Sequence, residues 1–207
     1  VLLQRFNDRA RVFPRDVEIR VHRSGGRHRV EYHTPIGMVS TTVHYDLEAQ
    51  KLGITIPTIV EHLIKTPEDY APAGWLFERL DAVPSLERFR RWSDEDIRDD
   101  GVPVALGCFG ASPINEIQRD LIDSTQFFFH YKDHQEKMRR LAGQMEPLFD
   151  RIIAILCASP ADVVWWGANF DDMITYPPYF EREISPWIAK VSGALARHGK
   201  LLLSHTD

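Results

Sequence analysis

Cysteine is scarce in this chain: Cys108 and Cys157 are the only two, and their spacing is not that of a metal-binding pair. That excludes a disulfide-stapled secreted scaffold and fits a reducing, cytoplasmic compartment. No apolar run approaches the ~20 residues that a bilayer-spanning helix needs. Val1 to Arg11 is mixed polar and basic, without the apolar segment of a secretory signal. Basic blocks are absent too. Lys and Arg number 25 against 30 Asp and Glu, and the net charge of -5 is spread along the chain, which speaks against nucleic acid or an anionic membrane as partner. Neither a GxGxxG nor a phosphate-loop motif follows any candidate strand, which disfavours a nucleotide-binding α/β fold. An initiating methionine is also missing, and the sequence stops at Asp207 just after Leu201-Leu202-Leu203. The expectation is therefore a truncated chain, with strand edges that aggregate or pair with a second copy.

What is present is ordinary globular material. Hydrophobic residues make up 43% of the 207 positions, enough for a sizeable core. The N-terminal part reads as β structure. Val17, Ile19 and Val21 alternate with Glu18, Arg20 and His22, the period-2 pattern of a half-buried strand. Ser24-Gly25-Gly26 is a turn signal, Val30 and Tyr32 continue the alternation, and Met38 to Tyr45 is rich in β-branched residues. Together these predict an antiparallel meander with one face in water, on which His22, His28, His33 and His44 face solvent.

The pattern changes near Pro57. Ile59, Val60, Leu63 and Ile64 have helical spacing, and Thr66-Pro67-Glu68-Asp69 has the residues of a helix start, so a helix is predicted to about Ala82. Another opens at Pro84-Ser85, and Ser93 to Asp100 reads as an exposed acidic end. From Gly101 onward, short apolar runs alternate with amphipathic helices. The runs are Pro103 to Cys108, Val163 to Trp166 and Lys200 to Ser204. The helices are Pro113 to Ile122, Asp133 to Ala158 and Pro178 to His198, with Gly199 just past the last. The longest carries one stripe of Met138, Leu141, Met145, Leu148, Ile152 and Leu156, with Pro147 inside it. This rhythm predicts parallel β-α units, either a barrel or an open doubly wound sheet.

In such folds ligands bind where strands end. The three ends are Cys108 to Ser112, Gly167 to Asp172 and Ser204 to Asp207. If the strands follow sequence order, Asn169, Asp171, Asp172, His205 and Asp207 share one rim. Imidazole and carboxylates together can hold a divalent metal, or exchange protons without one. Asp171 or Asp172 can instead cap the segment that follows. Cys108 reads equally as a small core residue, Trp165-Trp166 as packing, and Phe127-Phe128-Phe129 as core or subunit contact.

Four segments carry a family resemblance. Pro103 to Pro113 (PVALGCFGASP) resembles the strand and glycine loop of uroporphyrinogen decarboxylase-family proteins. Ala161 to Asp172 (ADVVWWGANFDD) is similar to that family's next strand with its acidic end. Tyr179 to Trp187 (YFEREISPW) resembles the helix that follows, and His198 to Asp207 (HGKLLLSHTD) its fifth-strand motif. The likeness covers about the last half of the chain, and extends loosely to Ile56-Pro57 and His62 to Tyr70. It implies an α/β fold: an N-terminal meander over residues 1–56 and an incomplete TIM-type (β/α) barrel over 57–207, of a kind that often self-associates.

Two chemistries come with the resemblance. One is cofactor-free decarboxylation of porphyrinogen acetates. The other is methyl transfer between a corrinoid protein and a thiol, with zinc held by a His-x-Cys motif and a later Cys. Here His205 matches the zinc histidine, while Asp207 stands where the cysteine would be. The decarboxylase's arginine-rich substrate loop has no counterpart, and Gln118 stands near the place of its tyrosine. The resemblance therefore favours the methyl-transfer branch, with Asp171, Asp172 and His205 catalytic, His205 and Asp207 on zinc, and Asn169, Cys108 and Ser112 toward a small-molecule substrate. A polycarboxylate decarboxylase and a non-catalytic scaffold are the alternatives.

Overall fold

The computed structural model describes residues 10–53, 57–107, 109–167 and 170–205. The chain is mixed α/β and divides into two compact units, each built from separated segments. The first holds Pro14–Leu80 and Ile117–Met145; the second holds 10–13, Asp81–Glu116 and the chain from Glu146 onward. Among the described residues no helix is long and apolar enough to cross a membrane.

Strand β1 (Ala10–Pro14) belongs to the second unit and pairs with a strand described below. The first unit opens with the expected meander: β2 (Glu18–Ser24), β3 (Arg27–Thr34) and β4 (Gly37–His44), antiparallel in that order. Gly25 and Gly26, at φ 52° and 80°, close the β2–β3 hairpin, both in the left-handed conformation that a two-residue primed turn requires. A Cβ on Gly26 would also stand 2.7 Å from the Tyr45 carbonyl, which fixes that position as glycine. The register puts Val30, Tyr32, Val39 and Val43 on one face, where all four are buried. The opposite face carries Arg20, His22, Arg29, Glu31, His33 and Thr42. There Glu31 accepts from Arg29 at 3.1 Å and lies 3.2 Å from His33, and the His33 contact holds its carboxyl below the usual carboxylate range. His28 departs from expectation: it shares the face of Val30 and its ring packs 4.8 Å from Tyr45.

After helix α1 (Leu47–Lys51), the predicted helix around Ile59–Ile64 is instead strand β5 (Thr58–Glu61), antiparallel to β4. β-Branched Thr58, Ile59 and Val60 suit the open sheet edge, and the Glu61 carboxylate accepts from the Thr42 hydroxyl at 2.6 Å across the pair. The helix start read at Thr66 to Asp69 is a short 3₁₀ turn, Pro67–Asp69, on which Thr66 and Asp69 form a capping box. Helix α2 (Tyr70–Phe77) follows but stops short of Ala82, because the next residues enter strand β6 (Leu80–Pro84), the partner of β1.

Helix α3 (Glu87–Arg91) leads into exposed acidic turns up to Asp100, then strand β7 (Val104–Leu106) and helix α4 (Pro113–Glu116). A wide turn, Ile117–Leu121, continues α4. Helix α5 (Ser124–Asp133), capped by the Asp123 carboxylate, is one that the sequence reading did not assign. The long helix expected over Asp133 to Ala158 is α6 (Gln135–Cys157), which passes through Pro147. All six residues of its predicted stripe are buried. α6 gives its first half to one unit and its second half to the other.

The rest of the second unit is strand β8 (Val163–Trp165), helix α7 (Pro177–Tyr179), a wide turn Phe180–Ile184, helix α8 (Ser185–Ala196) and strand β9 (Leu201–Leu203). The expected single helix is interrupted at Phe180–Ile184, just before Pro186, which has no N–H to give the preceding turn. The core of this unit gathers on Phe149, whose ring lies 5.3 Å from Phe109, 6.1 Å from Trp166 and 5.5 Å from Trp187. β7, β8 and β9 form a three-stranded parallel sheet in sequence order; among the described residues no barrel is closed.

A buried pair in the first unit sets a pH dependence. The Tyr70 hydroxyl lies 3.2 Å from His130 Nδ1, and burial holds the imidazole below its ordinary pKa while pushing the Tyr70 phenol up. The unfolded chain takes up a proton on His130 as pH falls through about 6.5, whereas the folded chain resists it. This contribution is therefore complete above about 6.5 and is lost as pH falls toward the folded value. Urea midpoints measured at about pH 7.5 and 5.5 should fall on acidification, and fall less in His130→Phe than in the parent.

Candidate active site

The parallel pairing decides where chemistry can sit. Val104, Val163 and Leu201 are aligned across the sheet, as are Leu106, Trp165 and Leu203. The three following loops consequently leave from one edge, where parallel sheets place their ligands. Expectation and structure agree on this arrangement of strands.

The loop after β7 is held by the helix that follows it. Gly110 N–H donates to Glu116 Oε2 at 2.7 Å, Ala111 N–H donates to Asn115 Oδ1 at 2.9 Å, and Asn115 N–H donates to Ser112 Oγ at 3.1 Å. Ser112 is fully buried, and its hydroxyl oxygen works as a helix cap. Sequence reasoning missed Asn115 and Glu116. The signal was present: Ser112, Pro at the first helical position, then polar residues at the third and fourth.

At the end of β8 the chain turns through Gly167, at φ 77°. A Cβ there would meet the Phe170 ring at 2.7 Å and Ala111 at 3.0 Å, so the turn and the neighbouring loop both require glycine. The two tryptophans separate by face. Trp166 is buried and its indole N–H donates to the Ala111 carbonyl at 2.9 Å, while half-buried Trp165 donates to the Gly167 carbonyl at 3.0 Å.

Asp171 Oδ1 accepts from Met173 N–H at 2.9 Å and Ile174 N–H at 2.7 Å, the capping role weighed for it from the sequence. Asp172 is exposed. Both line a cavity of about 280 Å³ with Phe170, Thr175, Phe180 and Glu181. Phe170 and Phe180 meet edge to face at 5.5 Å, which supplies an apolar wall. Among the described residues, three carboxylates line this space and no Lys, Arg or His does. Glu181 is a further residue that the strand-end reasoning overlooked, since it reaches the cavity from the turn after α7.

Beyond β9, Ser204 Oγ donates to the Trp166 carbonyl at 3.0 Å, and the exposed His205 ring stacks 6.0 Å from Trp165. His205 thus stands at the same sheet edge, against β8, but is not part of the lining of the acidic cavity. Cys108, Asn169 and Asp207 lie outside the described residues. Among the described residues no group of three His, Cys, Asp or Glu side chains is placed to hold a metal ion.

Comparison with protein-family models, with curated proteins and with solved structures finds no match.

These contacts separate side chains that fasten the loops from those that are exposed to solvent. Asp171→Ala should cost about 1 kcal/mol by freeing two backbone donors, whereas Asp172→Ala should leave the urea midpoint unchanged. Glu116→Ala should cost about 2 kcal/mol, because the Gly110 N–H is left buried without its acceptor. Equilibrium unfolding of the three variants against the parent measures all of this.

Proposed function

We propose that this chain is part of a uroporphyrinogen decarboxylase-type (β/α) barrel enzyme. It acts on a small molecule at the carboxyl edge of β7, β8 and β9, and its reaction is methyl transfer. The observation that carries this reading is the in-register parallel order of the three strands, with an acidic loop after β8 and a histidine after β9 at one edge. That is the order in which the resembling segments follow one another along the sequence.

The acidic cavity separates the two chemistries. Among the described residues, Asp171, Asp172 and Glu181 surround it without a lining cation. A polycarboxylate would meet only like charge there, which disfavours the decarboxylase branch. A neutral or cationic methyl donor or acceptor meets no such penalty. Phe170 and Phe180 would exclude water from its apolar part, and Asp172 and Glu181 would orient a donor group or hold a proton. His205, exposed at the edge, is the one described member of the zinc pair that the resemblance implies. Asp207, the other, lies outside the described residues. A zinc ion held there would supply thiol activation as a Lewis acid. The methyl donor would be a corrinoid protein, in a cytoplasmic setting, with self-association of the barrel.

The test is elemental analysis of the purified protein. Zinc bound in stoichiometric amount and lost in His205→Ala is the expected outcome. Metal-free protein that decarboxylates a porphyrinogen would replace this reading with the decarboxylase. Absence of metal, together with no effect of His205→Ala or Asp172→Asn on any turnover, would leave a non-catalytic scaffold.

A further inference from the structure

The first unit contains a second cavity, larger than the acidic one and of different chemistry. Its volume is about 360 Å³, within the ~300–1,000 Å³ range of small-molecule sites. One wall is α2, which presents Ala71 and Trp75, with Glu78 just beyond its last turn. These residues are four and three positions apart, so they share a helix face. The other wall is the first half of α6, with Lys137, Arg140 and Gln144 on one face. Pro67 and Ile36 add apolar surface, and Glu68 stands at the helix start.

Most charged groups in this lining are already committed. The Lys137 ammonium donates to the Pro67 carbonyl at 3.2 Å. Glu78 Oε1 accepts from Gln144 Nε2 at 2.8 Å, and its other oxygen lies 3.8 Å from Arg79. The exposed Glu68 carboxyl is drawn below its ordinary pKa, chiefly by its own backbone N–H and then by the Thr66 hydroxyl, with Lys137 adding to this. Arg140 is different: its guanidinium has no partner among the described residues, and it lies one helical turn from Lys137 beside an indole and aliphatic walls. A guanidinium offers two parallel N–H donors that match the two oxygens of a carboxylate. Lys137, one turn away, adds positive potential to the same end.

We infer that this cavity binds a small organic carboxylate with an apolar body, its carboxylate on Arg140 and its aryl or branched alkyl group against Trp75, Ala71 and Ile36. The site lies in a different unit from the sheet edge and does not depend on the reaction proposed for that edge. The lining names the ligand by chemistry: one uncommitted fork of donors, an aromatic wall, and acids that already have partners. The Arg79 guanidinium covers one face of the Trp75 indole at 3.6 Å, and the other side of the indole is left as that wall.

Calorimetric titration of the full chain with 3-phenylpropanoate tests this, with 3-phenylpropan-1-ol as the uncharged counterpart. The carboxylate should bind, and the alcohol should bind at least tenfold more weakly. Arg140→Gln should weaken carboxylate binding at least tenfold, Arg140→Lys less, and Ala71→Phe should abolish it by filling the cavity. Arg140 is exposed, so its variants should keep the parent's circular dichroism and urea midpoint, which confirms that a loss of binding is not a loss of fold. No binding by folded parent protein would overturn the inference. So would equal binding of acid and alcohol, equal binding by Arg140→Gln, or a clear preference for phenyl phosphate.

Discussion

Everything proposed for the second unit depends on the parallel, in-register pairing of β7, β8 and β9. Three short strands cannot hold themselves; their residues are few and their outer rows carry exposed Leu106, Leu201 and Leu203. What fixes them is the inner row, Ala105 and Val164, buried beneath a core that includes Trp166 and the aromatic group on Phe149. Because the strands run the same way and are aligned residue for residue, their loops have no choice of edge. A glycine loop, an acidic turn and a histidine then become neighbours in space although about 100 residues separate them in sequence.

The loops themselves are organised by side chains doing the work of a missing backbone ladder. The β7 loop uses Asn115 and Glu116, and the β8 loop uses Asp171 and the close approach permitted by Gly167. Two tryptophan indoles tie these loops to each other and to the β8 end. Hydrogen bonds hold these loops near the strands, while Asp172 and His205 are exposed. Hydrogen-bonded and solvent-exposed polar groups thus alternate within a few residues of one another.

Much of the fold was legible in the sequence, for physical reasons that also mark where legibility ended. Strong period-2 alternation gave the meander, and a strict apolar stripe gave α6, since burial on one face leaves a direct imprint on residue order. Ile59 to Ile64 misled because a short apolar run satisfies helical and strand spacing alike; pairing with β4 decided it, and pairing is not a local property. The end of α2 was missed for the same reason, as β6 is called into being by β1, far away in sequence. His28 was misplaced because it was judged by its polarity; it stands two residues before Val30, so the period-2 pattern itself puts it on the apolar face. At the site, strand ends located Asp171 and Asp172, but Glu181 arrives from a later turn, and Arg140 lines the separate cavity of the first unit. No spacing rule connects either to a strand end.

The fastening of the β7 loop by Glu116 has a consequence for exchange with solvent. Amides in loops usually trade their hydrogens quickly, because nothing but water holds them. The Gly110 and Ala111 amides are shut away and bound to side chains of the next helix. Their hydrogens can leave only when α4 lets go, so this irregular stretch should share the slow deuterium uptake of the strand beside it rather than that of an ordinary connection.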